Sequence, residues 1–178
     1  MNIKPWTILE TNYLHPGIRV DKCKLPDGYS FDVHLLEYAD EIMIFALTRN
    51  QEVVLIKQYR HGAQQVIVEL PGGSMDEGES PVEAAKRELM EETGYSSDTF
   101  IQVGCASPNP ANYTNKIYSF LALDVEQTGT QSNDDAENVE VLLLSLEDVI
   151  MMAKMGDLVH SLNISTLFFA LEYLHRIS

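Results

Sequence analysis

The chain is poor in cysteine, poor in cations and without a long apolar run. Cys23 and Cys105 are the only cysteines among 178 residues, too few for a disulfide framework and without the paired spacing of a zinc site. They read as buried or incidental thiols of a reducing compartment, and no bridge between them is expected. Lys and Arg number 12 against 27 Asp and Glu, a formal charge of −15. Phosphate backbones and anionic bilayers are held by Lys and Arg, so neither nucleic acid nor a membrane is an expected partner. No stretch approaches the ~20 apolar residues that cross a bilayer. The opening MNIKPWTILE lacks the apolar core of a secretion signal, and the expected location is the cytoplasm. His15, His34, His61, His160 and His175 share no ligand spacing and read as structural or surface groups.

What is present suits one domain with a small appendage. Turn chemistry at Pro26-Asp27-Gly28 separates strands expected over Ile18–Cys23 and Tyr29–Leu36. In the second of these, Tyr29, Phe31, Val33 and Leu35 alternate with polar residues, the mark of one buried face. Further strands are expected over Ile42–Thr48, Val53–Tyr59, Val66–Leu70, Ile101–Ala106, Lys116–Leu123 and Val139–Leu144. A helix is expected from Ser145 to Gly156 and another from about Ser165 to His175, with Phe168, Phe169, Leu171 and Leu174 as its packing face. Thr128–Glu137 is the most loop-like stretch. The pattern predicts a mixed α/β fold, a mixed sheet flanked by helices. Residues 1–40 form a small antiparallel β appendage and residues 41–178 the main domain. Trp6, Tyr13 and Tyr29 read as the appendage's core or as a stacking surface offered to a partner.

The most informative stretch is the helix expected from Pro81 to Thr93. Ser80 suits its N-cap, Pro81 its first position and Glu83 the third position of a capping box. Gly94 suits a left-handed C-terminal stop. Val82, Ala85 and Leu89 recur as an apolar stripe. Glu88, Glu91 and Glu92 cluster on a different face, since residues three and four apart are neighbours on a helix. Alone, such carboxylates are more often a solvated surface than a site. Leu70-Pro71-Gly72-Gly73 ahead of them alters the balance, because glycine lets backbone approach a ligand closely. Carboxylates with a backbone carbonyl are hard oxygen donors suited to Mg²⁺ or Mn²⁺.

Gly73, Glu79, Arg87, Glu88, Leu89, Glu91, Glu92 and Gly94 match G-x5-E-x7-R-E-U-x-E-E-x-G-U, and the chain thereby resembles the Nudix hydrolases. Only Tyr95, in place of an aliphatic residue, departs. The motif is confined to residues 73–95, and the likeness runs from about residue 40 onward. The resemblance implies an αβα sandwich and metal-dependent hydrolysis of a nucleoside diphosphate linked to another group. It implies metal ligation by Glu88, Glu91, Glu92 and the Gly72 carbonyl. It places Glu88, Glu92 and Arg87 in the catalytic set, with Arg87 and Glu79 orienting loop and helix.

Features outside the motif are similar to the ADP-ribose pyrophosphatase branch. The N-terminal strands would form a homodimer there. By that likeness Arg60 would bind substrate phosphates, Glu69 would line the site and Pro110, sixteen residues past Gly94, would belong to the substrate loop. Glu137 would be the general base, ahead of Glu140. Two departures are Leu70-Pro71-Gly72-Gly73 where the branch has LPAG, and a Ser107–Asn115 loop that is not acidic. The expected substrate is ADP-ribose or another nucleotide sugar. The alternatives are an ADP-ribose-sensing binding module without catalysis, or a pyrophosphatase of dinucleotides or nucleoside triphosphates.

Overall fold

The computed structural model describes residues 4–132 and 139–175. The chain divides into two compact units, Met1–Ala39 with Ser107–Lys116, and Asp40–Ala106 with Ile117–Ser178.

The first unit holds β1 (Thr7–His15), β2 (Ile18–Lys24) and β3 (Ser30–Leu36), paired antiparallel in that order. Gly17, at φ +79°, turns β1 into β2. Phe31, Val33 and Leu35 are half-buried and alternate with exposed Ser30, Asp32 and His34, as the period of two requires. β1 is exposed along its whole length. Trp6, Tyr13 and Tyr29 are 52%, 59% and 65% exposed, so they are no core for this sheet. Trp6 and Tyr29 instead flank the Phe31 ring, edge-on and stacked. Residues 107–116 join this unit through β3. Leu36 N–H donates to Asn112 O at 2.7 Å, and Asn112 Nδ2 donates to His34 O at 2.9 Å.

The second unit is built on β4 (Glu41–Leu47), β5 (Glu52–Arg60), β6 (Gln65–Glu69), β7 (Gly72–Ser74), α1 (Pro81–Thr93), β8 (Tyr95–Ser96), β9 (Thr99–Ala106), β10 (Ile117–Leu123), β11 (Glu126–Gln127), β12 (Glu140–Ser145), α2 (Leu146–Met155) and α3 (Ser161–Tyr173). Its main sheet runs β12-β5-β4-β10-β9, with β6 on β5 and β7 on β4. The β4–β10 pair is parallel and the rest antiparallel, so the sheet is mixed.

β4 is buried on both faces, which is why it reads as a continuous apolar run. Ile42, Ile44 and Ala46 pack toward Ala84, Ala85 and Leu89 of α1. Met43, Phe45 and Leu47 pack toward Leu146 and Val149 of α2 and Leu162, Leu167 and Ala170 of α3. The result is an αβα sandwich, the mixed α/β class that the sequence predicts.

α1 has the predicted bounds. Gly94 takes the left-handed conformation at φ 73° and its N–H donates to Met90 O. The buried side differs from the predicted stripe: Val82 is 37% exposed, whereas Ala84 and the polar Glu92 and Thr93 are buried. α3 begins four residues earlier than predicted, and its buried side is Leu162, Asn163, Thr166, Leu167, Ala170 and Leu171. Phe168 is 54% exposed. Phe169 lies against Gly104, where a Cβ would stand 2.3 Å from its ring. Among the described residues no helix is long and apolar enough to cross a membrane. Cys23 is buried, Cys105 is exposed, and both are free thiols.

Candidate active site

The site starts from the two glycines between β6 and α1. β7 pairs with β4 so closely that a Cβ on Gly72 would lie 2.2 Å from Ile42 O. No side chain fits there. A Cβ on Gly73 would meet no backbone within that range, but would sit 2.6–2.8 Å from the Glu88 carboxylate. The missing side chain of Gly73 is therefore the space into which Glu88 folds. From the next turn of α1, Glu92 accepts the Gly72 N–H at 2.8 Å, although the residue is only 5% exposed. That bond satisfies a buried carboxylate that would otherwise be costly.

Arg87 locks the turn to the helix. Its Nε and Nη2 donate to Glu79 Oε1 and Oε2 at 3.0 and 2.9 Å, a bidentate pair. Nη2 also donates to Ser74 O at 3.0 Å, and Nη1 to Glu88 Oε1 at 2.7 Å and Glu91 Oε2 at 3.1 Å. Hydrogen bonding to Arg87 holds the Glu79 carboxyl below the usual carboxylate range. The same contacts, led by Glu79, push the Arg87 guanidinium up, so it is a permanent cation.

Gly72, Gly73, Arg87, Glu88 and Glu92 line one cleft of about 420 Å³, together with Gln58, Arg60 and His160. Arg60 stands at the end of β5. Its Nε donates to Glu69 Oε2 at 2.7 Å, and Glu69 itself is 1% exposed. The other Glu69 oxygen is 2.7 Å from His160 Nδ1. Burial acts to raise the Glu69 carboxyl, but the bonds from His160 and Arg60 outweigh it and hold the group below its ordinary value. At Glu41, burial pushes the carboxyl up against the opposing charges of His160 and Arg60.

The structure thus gathers Gly72, Arg60, Arg87, Glu88 and Glu92 around one cleft, with Glu69 fixing Arg60 from behind. Glu91 stands apart, its side chain 44% exposed and hydrogen bonded to Arg87. Pro110 belongs to the first unit, in a turn where Asn109 O accepts the N–H groups of Asn112 and Tyr113. Glu137 lies outside the described residues. His160, which the sequence reads as a structural or surface group, lines the cleft. Its partner Glu69 is 91 positions away in the chain, and no local pattern signals a pairing of that range.

Among the described residues no three His, Cys, Asp or Glu side chains are already gathered around a metal position. Glu88, Glu92 and the Gly72 carbonyl on the cleft wall nonetheless offer oxygen donors. Such a set fits a hard divalent cation and fits poorly the softer metals that prefer sulfur or imidazole.

A mixed αβα sandwich with an acidic helix facing a glycine turn and an arginine fits a hydrolase that acts on diphosphate bonds. The chain belongs to the Nudix family: the NUDIX domain model matches residues 37–162. It is a Nudix pyrophosphohydrolase. It is 28% identical over 136 residues to an ADP-ribose pyrophosphatase of Bacillus subtilis, covering 76% of this chain and 74% of that one. It is 27% identical over 138 residues to a methanol dehydrogenase activator of Bacillus methanolicus, covering 77% and 75%. The crystal structure of an ADP compounds hydrolase superposes with a TM-score of 0.87 over 99% of this chain and 100% of that one, at 22% identity. That likeness is one of fold.

Proposed function

We propose that this protein hydrolyses the diphosphate bond of ADP-ribose or another ADP-sugar, with water, to AMP and a sugar phosphate. The observation that carries the reading is the cleft itself, in which Glu88 and Glu92 share one wall system with Arg60. The relation to an ADP-ribose pyrophosphatase supports the choice of substrate class.

Each residue has a task in this reading. Arg60 spends only Nε on Glu69, which leaves its two terminal nitrogens to donate to phosphate oxygens. Glu69 aims that guanidinium. Glu88, Glu92, Glu91 and the Gly72 carbonyl would hold Mg²⁺, with Mn²⁺ as a substitute. Such a cation, when bound, screens phosphate charge, lowers the pKa of water and stabilises the leaving oxygen. Arg87 keeps the Glu88 carboxylate and the Ser74 carbonyl in fixed relation. Glu137 is the general base that takes a proton from the attacking water. Pro110 belongs to the loop that contacts substrate.

Residues 1–40 act as the appendage and mediate a homodimer, and residues 41–178 form the catalytic domain. The exposed β1 strand, with Ile8 at 57% and Leu14 at 69% exposure, supports the dimer, since an uncovered apolar edge is a pairing surface. The two free thiols support a cytoplasmic location.

The test is product analysis of purified protein with Mg²⁺ over ADP-ribose, other nucleotide sugars, dinucleotides and nucleoside triphosphates. AMP release from ADP-ribose is the expected result. Binding of ADP-ribose without turnover would establish a sensor instead, and turnover confined to triphosphates or dinucleotides would reassign the substrate. Glu137→Gln should lower kcat about 10²-fold or more; an unchanged rate removes it from the mechanism.

A further inference from the structure

His160 sits at the N-terminal boundary of α3, yet its side chain makes no cap bond to that helix. It reaches instead to Glu69, with Nδ1 2.7 Å from Oε1. Glu69 is buried and receives Arg60 on its second oxygen. An ionised carboxylate can only accept, so Nδ1 carries the hydrogen of the pair. Only Nε2 is then left to meet a ligand. The ring is a third exposed. Together with Arg60 and Glu41 it forms a wall common to the 420 Å³ cleft and to a neighbouring cavity of about 470 Å³. The neighbouring cavity is also lined by Ala63, Ile67 and Val159.

One buried carboxylate therefore holds two basic side chains side by side at the cleft wall. A carboxylate that served only to neutralise Arg60 would need no second base. A histidine that served only the core would not line two cavities. We propose that His160 is a substrate-binding residue, an imidazolium whose Nε2–H donates to a non-bridging phosphate oxygen of the diphosphate, beside the Arg60 guanidinium. Phosphate oxygens accept and do not donate, so this role requires the protonated ring. The pairing with Glu69 acts as an orienting contact of the kind that fixes the ring of a working histidine. The inference rests on the diphosphate hydrolase reading above.

The discriminating variant is His160→Asn. An asparagine amide overlays the Nδ1 position, so it keeps a donor to Glu69 while losing Nε2. His160→Ala, which loses both, reports the purely structural share. The probe is methylenediphosphonate with Mg²⁺, which has the phosphate oxygens of a diphosphate and no sugar hydroxyl. In calorimetry, His160→Asn should bind it about tenfold more weakly, the size of a lost charge-assisted hydrogen bond. KM for ADP-ribose should rise in step while kcat stays within a few-fold, with thermal midpoint close to wild type. Equal affinity of wild type and His160→Asn for the probe, in a wild type that turns over ADP-ribose, overturns the role of His160 alone. So does a loss confined to ADP-ribose, which would mean that Nε2 meets a hydroxyl. A wild-type protein that neither binds the probe nor hydrolyses any diphosphate overturns both this proposal and the hydrolase reading.

Discussion

Glu92 on α1 accepts the backbone N–H of Gly72 at 2.8 Å, across the cleft from its own helix. One side chain thereby ties the helix to the glycine turn. Glu92→Gln keeps an oxygen for that bond but gives up the charge. If Glu92 serves the proposed metal site, activity should fall by roughly 10–100-fold, while the thermal midpoint moves little. Glu92→Ala should lower both activity and thermal midpoint, because it leaves a half-buried N–H without this acceptor, at a cost of about 1 kcal/mol. Steady-state rates and thermal melts on the two variants check the separation.

The glycines at 72 and 73 should differ in what their substitution harms. Gly72→Ala drives a Cβ into the Ile42 carbonyl, a backbone atom that cannot turn aside. It is expected to destabilise the fold by about 1–3 kcal/mol, read by denaturant unfolding. Gly73→Ala collides first with the carboxylate end of the Glu88 side chain, which can turn aside. Stability should survive while the displaced carboxylate costs roughly 10–100-fold in rate. A fully active Gly73→Ala protein would contradict the placement of Glu88 in the site.

Arg87 makes five hydrogen bonds to three carboxylates and one carbonyl. Lysine has the charge but not the planar fork. Arg87→Lys should cost about 1–3 kcal/mol in unfolding free energy, the scale of charged hydrogen bonds, and should lower kcat by releasing Glu88. A double variant with Glu79→Gln should show non-additive losses, since the two residues share one bidentate contact.

Glu69 makes stability depend on acid. Its folded-state proton affinity is lower than that of an unfolded glutamate, since His160 and Arg60 outweigh the effect of burial. The unfolded chain therefore takes up this proton first, at about pH 4.3. The stabilisation is complete above that value and is lost as pH falls through the lower folded value. Glu69→Gln should lower the thermal midpoint at pH 7, and the gap to wild type should close as pH drops below about 4. A gap that stays constant over that range would contradict the assignment.

What the sequence discloses depends on how local the cause is. α1 is legible to the residue because Ser80, Pro81 and Gly94 each act within a turn of the helix end. β4 and β5 are legible because both faces are apolar. β1 is not, because Thr7–His15 is exposed throughout and has no buried period to read. β7 escapes notice because its three residues are placed by pairing with β4, a tertiary effect. The early start of α3 escapes because His160 provides no side-chain cap there. The carboxylates of the cleft are legible as a spaced motif. The Glu69–His160 contact is not, since it exists only after β6 and α3 have met.

Strand β4 has the alternation of a strip read from both sides. Its even-numbered residues, Ile42, Ile44 and Ala46, support α1 and so the floor beneath Glu88 and Glu92. Its odd-numbered residues, Met43, Phe45 and Leu47, support the opposite helices. Neighbouring positions in one strand therefore belong to different mechanical circuits. A truncation at Phe45 loosens the layer of α2 and α3, whereas one at Ile44 shifts the mounting of the carboxylates. Tolerance to substitution along this strand should rise and fall with a period of two when rate is measured, and vary smoothly when only folding is measured.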